Sequence, residues 1–189
     1  VITRTNSVTG RPYYDEKAIM AWETGNELED TNAAFLQQTA AWIKKWAPHQ
    51  LVVDGTYKKI NAFALNDPHV DIVSNHYYTN ADNNHPDQVK KDLTAAAGKK
   101  VYMVGEFGLL DAQQLNAIMQ SIVHSEVNGA QAAGGLIWGF RGHRHDGGFY
   151  WHKESTGHYS YHLPGFPVDG KANQEMEVVD LVRTAAAQM

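Results

Sequence analysis

Two glutamates stand at positions where they can perform acid–base chemistry. Glu27 closes the segment ETGNE, residues 23–27, which follows the apolar run AIMAW, and Glu106 follows the run VYMV and a glycine. Cleavage of a glycosidic bond uses two carboxyl groups, one to protonate the leaving oxygen and one to attack the anomeric carbon. The pair therefore predicts glycoside hydrolysis, with Glu27 and Glu106 as the catalytic residues.

Further polar and aromatic side chains follow the same kind of apolar run. Asn26 precedes Glu27, His76 and Tyr78 belong to the segment NHYY after VDIVS, and Trp138 ends the run GLIW. In a parallel barrel the functional groups come from the carboxyl ends of several strands, which meet at one face. We therefore expect these four side chains to surround the glutamates and bind substrate. The alternative is a turn for Asn26 and core packing for the others.

The composition excludes several other classes of function. The net charge of -5 and the pI of about 6.0, with scattered Lys and Arg, do not provide the clustered basic surface that nucleic acids require. The absence of cysteine excludes thiol catalysis, and phosphate-binding or dinucleotide-binding glycine motifs are missing, so no cofactor is predicted. No apolar run approaches the roughly 20 residues of a membrane-spanning helix, so no membrane partner is predicted either.

Residues 142–152, GHRHDGGFYWH, are rich in histidine and aspartate, which are ordinary metal ligands. The segment lacks the HExxH spacing and a closed ligand set, so we predict no metal. Its aromatic and polar composition suits a sugar-contacting loop, in which aromatic rings stack on saccharides and polar groups bind hydroxyls. We predict Trp151 as one such substrate-binding residue.

The elements that must position these residues read as βα units. Short apolar runs without strict alternation predict five strands buried on both faces, at residues 18–22, 51–54, 70–74, 101–104 and 135–138. Such units predict an α/β fold with a parallel sheet. A complete (β/α)8 barrel has about 250 residues, so the 189 residues predict one domain, 1–189, that is the carboxyl-terminal portion of a barrel, with about five βα units.

Helical periodicity appears between these strands. Residues 31–47 carry an apolar stripe that includes Trp46, and Trp42 and Trp46 are predicted to pack in the core. Asp111 is predicted to cap a helix that Asn128 and Gly129 close. Residues 86–97 and 172–187 predict two more helices, and residues 141–171 form a long irregular insert.

The motifs WETGNEL, NHYY, VGEFG and LIWGF, in this order, resemble those of strands 4, 6, 7 and 8 in glycoside hydrolase family 5. Residues 4–28 are similar in particular to the approach to strand 4 in β-1,4-mannanases. The resemblance covers residues 3 to about 138, and the ordered set of motifs is far more specific than any one of them.

This resemblance implies a role for each matching residue. It makes Glu27 the general acid/base and Glu106 the nucleophile of a retaining mechanism. It makes Asn26 a donor to the sugar 2-hydroxyl and Trp138 the floor under the reacting sugar. His76 would line the catalytic subsite near the acid/base, and Tyr78 would hydrogen-bond the nucleophile.

The chain also departs from the family pattern. The arginine after strand 2 and the histidine after strand 3 have no counterpart here, since nothing before Arg4 can supply them. We therefore expect strands 1 to 3 to be missing and the open edges to be covered, by the missing amino-terminal half-barrel or by a second copy.

The resemblance favours an endo-β-1,4-mannanase that cleaves plant-type polysaccharide. An exo-β-mannosidase and a β-1,4-glucanase stay open as alternatives, which the shape of the loop at residues 141–167 would discriminate. An inactive carbohydrate-binding or scaffold half-barrel is the alternative from another class. Action on a polysaccharide predicts a secreted or periplasmic location.

Overall fold

The computed structural model describes residues 1–78, 86–140, 161–163 and 175–189. Its main feature is a sheet of five parallel strands in the order β1, β2, β3, β4, β7. A separate antiparallel hairpin pairs β5 with β6. The strands are β1 (Ala21–Glu23), β2 (Leu51–Asp54), β3 (Ile72–Tyr77), β4 (Val101–Gly108), β5 (Glu126–Val127), β6 (Ala130–Gln131) and β7 (Gly135–Trp138). The five predicted strands are all present, and neighbours along the chain are neighbours in the sheet.

Four α-helices accompany the sheet: α1 (Ala33–Trp46), α2 (Pro86–Ala96), α3 (Ala112–His124) and α4 (Glu175–Gln188). The Asn32 side chain caps α1 by accepting from the Phe35 amide, and the predicted Asp111 cap of α3 is confirmed by its bond from the Gln114 amide. The connection from β2 to β3, described throughout, has only a short 3-10 helix at Ala64–Asn66. Among the described helices, none combines the length and apolarity needed to cross a membrane.

The core lies between the sheet and one layer of helices. Each helix contributes one apolar stripe: Leu36, Ala40 and Ile43 from α1, Val89, Leu93 and Ala96 from α2, and Leu115, Ile118, Met119 and Ile122 from α3. Burial of each large apolar side chain stabilises the fold by about 1.5–3 kcal/mol. The packing holds the strands in register and so brings their carboxyl ends together at one edge.

The prediction that Trp42 and Trp46 pack in the core is wrong. The two side chains are 58% and 52% exposed, and Lys45 Nζ lies 5.3 Å from the centre of the Trp46 ring. The buried stripe of α1 contains Leu36 and Ile43 instead. At 3.6 residues per turn, Trp46 lies roughly a quarter turn and Trp42 roughly a third of a turn away from that stripe.

The predicted boundaries of one helix and three strands also shift. Helix α3 ends at His124, because Asn128 and Gly129 form the turn of the β5–β6 hairpin rather than a helix cap. Their φ values of 52° and 79° are those of a tight hairpin turn with both central residues left-handed. Strand β1 is Ala21–Glu23 rather than residues 18–22, β3 is Ile72–Tyr77 rather than residues 70–74, and β4 continues to Gly108 rather than ending at residue 104.

Candidate active site

The loop after β1 carries Glu27 and is joined to the loop after β2. The Thr24 amide donates to Val53 O at 3.0 Å, the Gly55 amide donates to Thr24 Oγ1 at 3.1 Å, and the Leu28 amide donates to Gly55 O at 2.9 Å. Glu27 itself has a left-handed backbone, with φ 51°. Such a conformation costs a non-glycine residue about 1 kcal/mol or more and persists where neighbouring contacts fix it. The paired loops therefore hold Glu27 at a defined position above the sheet.

His76, from the end of β3, contacts Glu27 directly. Its Nδ1 lies 3.1 Å from Glu27 Oε1, and the two side chains are 5% and 37% exposed. The imidazole is therefore buried while the carboxyl reaches solvent. His76 and Glu27, both predicted as site residues, thus lie in contact at the carboxyl ends of the strands.

A β-bulge turns Glu106 toward the same site. Asn75 pairs with Val104 but His76 pairs with Glu106, so Gly105 is an extra residue on β4. In a regular strand Glu106 would share the face of Val104, which is fully buried on the helix side. The bulge moves Glu106 to the face of His76 instead. A side chain at the bulge would crowd His76, because a Cβ there would lie 3.0 Å from His76 Nε2 and Cδ2.

The spacing of the two carboxyl groups fits one mechanism. One side-chain oxygen each of Glu27 and Glu106 and one ring nitrogen of His76 all lie within 4.8 Å of one another. Retaining glycosidases place their carboxyl groups about 5–5.5 Å apart, whereas inverting enzymes leave about 6.5–9.5 Å for a water molecule. The arrangement can perform direct attack by one carboxylate and proton transfer by the other.

Trp138 ends β7 beside the strand of Glu106. It pairs with Gly108, whose Cβ, if present, would lie 1.9 Å from Trp138 O. Glycine at 108 therefore permits the close approach of β7. The Trp138 side chain is 38% exposed, so part of its ring is open to a ligand.

The structure gives a different outcome for each of the remaining predicted residues, Asn26, Tyr78 and Trp151. Asn26 is exposed next to Glu27. The Tyr78 hydroxyl is buried and has no hydrogen-bond partner among the described residues, so the predicted bond to Glu106 is not formed. The direction of this ring depends on packing that the His-x-Tyr motif does not fix. Trp151 and the rest of its loop lie outside the described residues.

Tyr57 is a site residue that the sequence analysis missed. Its ring centre lies 5.9 Å from that of His76, at an angle of 54°. Burial raises the pKa of the Tyr57 hydroxyl, and the negative charges of Glu27 and Glu106 add to this while Lys58 opposes it. The sequence did carry a signal for it, because Tyr57 comes shortly after the apolar run LVVD, just as the predicted site residues follow their own apolar runs.

Two further carboxyl groups lie at the ends of β1 and β2. Burial raises the pKa of Asp54 to about 6, against the lowering effect of its hydrogen bonds with Thr56. Burial also raises the pKa of Glu23, and the charge of Asp54 adds to the increase. Removal from water disfavours the charged form of a carboxyl group, so the surroundings of Asp54 and Glu23 favour their neutral forms.

Within the described ranges, Glu27, His76 and Glu106 form the one group whose donor atoms are close enough to share a metal ion. Imidazole and carboxylate are ordinary ligands of divalent cations. Within this group, His76 Nδ1 and Glu27 Oε1 contact each other directly at 3.1 Å, and this contact needs no metal.

Comparison with known proteins identifies the family. Residues 1–97 of the 189 match the family described as GH family 5 beta-mannosidase-like. The chain belongs to glycoside hydrolase family 5. A segment of 60 residues, 30% of this chain, is 40% identical to Mannan endo-1,4-beta-mannosidase 4 of Oryza sativa subsp. japonica, of which it covers 12%.

Two solved structures of family 5 share the fold. A mannosidase from Rhizomucor miehei in complex with mannosyl-fructose has a TM-score of 0.71 at 17% identity, with 100% of this chain aligned to 57% of the other. The hyperthermostable endo-1,4-beta-D-mannanase from Thermotoga petrophila has a TM-score of 0.64 at 19% identity, with 98% aligned to 62%. These matches confirm the predicted partial (β/α)8 barrel, and the chain spans about three fifths of the length of each of these two structures.

Proposed function

We propose that this chain carries the catalytic pair of a retaining β-mannoside hydrolase, with Glu106 as nucleophile and Glu27 as acid/base. The observation that carries the proposal is the carboxyl spacing: oxygens of Glu27 and Glu106 within 4.8 Å, presented by β1 and β4 at one edge of the sheet. This spacing favours a covalent intermediate over single-step attack by water.

The reaction proceeds in two displacements. In the first, the Glu106 carboxylate attacks the anomeric carbon, the glycosidic C–O bond breaks, and Glu27 gives its proton to the leaving oxygen. In the second, Glu27 takes a proton from water, the water oxygen attacks the anomeric carbon, and the bond to Glu106 breaks. The two glutamates must therefore differ in protonation before the first step, with Glu27 neutral and Glu106 ionised.

His76 and Tyr57 support this assignment of roles. His76 Nδ1 contacts Glu27, and the imidazole in turn packs near the Tyr57 ring. A buried imidazole with one nitrogen on a carboxyl group can orient that group and follow its change of charge. This contact supports Glu27 as the group that exchanges protons.

Substrate binding is proposed for the side chains around the pair. Trp138 offers a partly exposed ring beside the Glu106 strand, which suits stacking on a sugar. Asn26 is exposed next to Glu27 and can donate to a hydroxyl. The buried Tyr78 hydroxyl has no hydrogen-bond partner among the described residues, so it is available to bind a sugar. Trp151 is proposed as a further stacking residue.

A β-1,4-linked mannan is the proposed substrate, cleaved internally. The rice relative is a mannan endo-1,4-beta-mannosidase and the Thermotoga petrophila relative an endo-1,4-beta-D-mannanase. Exo-action on β-mannosides is the second candidate, because the matched family is described as beta-mannosidase-like. Action on a polymer also leads us to propose a secreted or periplasmic location, which fractionation of the source cells would test.

Turnover tests the function. The 189-residue chain, alone and fused behind strands 1 to 3 of a family 5 mannanase, is incubated with β-1,4-mannan, a chromogenic β-mannoside and β-1,4-glucan. We expect hydrolysis of mannan with a mixture of oligosaccharides, whereas release of mannose alone would indicate exo-action. Binding of mannan-derived oligosaccharides without turnover by either protein would instead support the non-catalytic carbohydrate-binding alternative.

The roles of the two glutamates are tested in whichever protein turns over. Glu106→Ala should abolish turnover, and azide should restore part of it with inversion, because azide occupies the cavity left by the nucleophile. Glu27→Ala should spare the first step for substrates with good leaving groups, which need no proton. Glu29→Ala is the matched control, since Glu29 is exposed and pairs with Lys58. An identical dependence of both variants on leaving-group pKa would show that the roles are wrong.

A further inference from the structure

A buried hydrogen-bond network lies behind the candidate active site, on the helix side of the sheet. The Asp92 carboxylate of α2 is its centre: Tyr77 Oη donates to Oδ2 at 2.6 Å, Asn75 Nδ2 donates to Oδ2 at 2.7 Å, and Gln88 Nε2 donates to Oδ1 at 2.9 Å. The Tyr77 and Tyr102 hydroxyls lie 2.6 Å apart. Asp92 is thus a buried acceptor with three donors, the arrangement that makes a buried carboxylate tolerable.

The network reaches the active site through Asn75. While Asn75 Nδ2 donates to Asp92, Asn75 Oδ1 accepts from the backbone amide of His76 at 2.9 Å. Both Asn75 and Asp92 are buried, so water does not substitute easily for either bond. The Asp92 carboxylate therefore fixes the orientation of the Asn75 amide, and that amide fixes the backbone of His76.

This connection falls at the irregular point of the sheet. The register between β3 and β4 shifts between Asn75 and His76, at the bulge that turns Glu106 toward the site. A bulge interrupts the regular ladder and leaves local backbone groups in need of other partners. The Asn75 side chain supplies one at this place. The position of His76 against Glu27, and of Glu106 beside it, depends on that bulge.

Helix α2 is held in place by its own contacts, so the backbone of Asp92 has a fixed position. Its apolar stripe of Val89, Leu93 and Ala96 is buried in the core. At its first residue, Ser121 Oγ of α3 donates to Pro86 O at 2.6 Å. The helix can therefore transmit a fixed position to the carboxylate.

We propose that Asp92 is a positioning residue of the active site, which acts through Asn75 to hold His76 and the bulge beside Glu106. Asp92 touches neither substrate nor the reacting atoms. The consequence for catalysis rests on the proposed function, whereas the consequence for His76 does not. A group displaced by 1 Å can lose about a hundredfold in rate, so the expected effect is large for a residue outside the site.

The test compares variants that damage the same network at different points. Asp92→Ala removes the acceptor of Asn75, and Asp92→Asn keeps an amide oxygen that can replace it. Tyr77→Phe is the matched control, because it removes a hydroxyl from the same carboxylate but leaves the bond between Asn75 and Asp92 intact. Amide hydrogen exchange at His76 and at Val73, thermal stability, and kcat and KM on mannan are measured for each. If Asp92→Ala does not fold, Asn75→Ala replaces it.

For Asp92→Ala we expect amide hydrogen exchange at His76 to accelerate at least about tenfold relative to exchange at Val73. The reason is that Asn75 Nδ2 loses Asp92 as its acceptor, so the Asn75 side chain no longer holds the His76 amide in place. We expect kcat to fall about tenfold to a hundredfold with KM nearly unchanged. Asp92→Asn should recover most of both effects, and Tyr77→Phe should lose stability without either. Equal changes in Asp92→Ala and Tyr77→Phe, in proportion to lost stability, would overturn the proposal. Faster exchange at His76 in a chain without turnover on mannan would uphold the positioning role and contradict the proposed function.

Discussion

The Asp54 carboxyl lies in surroundings that favour its neutral form. The side chain is completely buried, Oδ1 accepts from the Thr56 hydroxyl at 3.0 Å, and Oδ2 has no hydrogen-bond partner among the described residues. Burial raises its pKa to about 6 from a usual 3.8. An ionised Asp54 therefore destabilises the fold.

We predict that Asp54→Asn stabilises the protein at pH 7. The native state holds the Asp54 proton more tightly than the unfolded chain does. The stability that this proton contributes to the fold is therefore complete below pH 3.8 and is lost as the pH rises through about 6. The neutral amide avoids that loss and should raise the free energy of unfolding by roughly 1–3 kcal/mol at pH 7. Denaturant unfolding at pH 4, 5, 6 and 7 measures the effect.

The control for this prediction is Asp30→Asn, at an exposed side chain. Its unfolding free energy should follow that of the parent at each pH. A stability of Asp54→Asn that stays parallel to the parent from pH 4 to pH 7 would show that Asp54 does not titrate in this range.

Single residues were predicted best where a strand end and a motif agreed. Glu27, His76 and Glu106 satisfy both conditions, and the structure brings all three together. Tyr57 follows a strand but belongs to none of the recognised motifs, and so it was missed. The bond from Tyr78 was predicted from a motif alone, and a motif does not determine a rotamer.

At the scale of elements, the bulge in β4 determines which way Glu106 faces. We predict that Gly105→Ala lowers kcat/KM on mannan roughly tenfold or more. The new methyl group would lie only 3.0 Å from the His76 ring and would push that ring away from its position beside Glu27. Steady-state kinetics on mannan measures this change. A shift of the His76 ring resonances by NMR should accompany it, with or without turnover.

Gly98→Ala serves as the comparison for this variant. Gly98 has a φ of 73° and precedes the amino end of β4, with no atom within 4 Å of its Cβ position. An alanine there is strained and should cost stability without touching the site. If Gly98→Ala and Gly105→Ala lose activity equally at equal loss of stability, the bulge has no specific role in aiming Glu106.

Elements were predictable in number and order, but their edges were not. The five apolar runs lie where strands β1, β2, β3, β4 and β7 form, because parallel strands are apolar on both faces. The end of α3 was misplaced because Asn-Gly signals both a helix end and a hairpin turn. The sheet neighbours that decide between the two are not visible in the local sequence.

For the whole molecule, the feature that determines association is the inner face of the sheet, which is the face opposite the helices. Among the described residues, β1 pairs with β2 and β7 pairs with β4, and neither has a second neighbouring strand in the sheet. At the amino ends of the strands a cleft of about 800 Å³ is lined by apolar side chains that include Met20, Leu51, Val101 and Met103. In a closed barrel such side chains fill the interior in layers.

We predict that this chain associates in solution through that inner face, with strands that complete the barrel or with a second copy of itself. Met20 is 62% exposed, Leu136 59% and Val101 49%, and burial of each would contribute about 1 kcal/mol or more. Unpaired strand edges and exposed apolar side chains together favour pairing with another chain. Light scattering should therefore give a mass above the 21.0 kDa of one chain, increasing with concentration.

Val101→Lys and Leu136→Lys should lower that mass, whereas Val8→Lys, at a 91% exposed position in the amino-terminal loop, should leave it unchanged. A single species of monomer mass at every concentration, which also fails to bind an apolar dye, would show that the inner face is covered from within the chain.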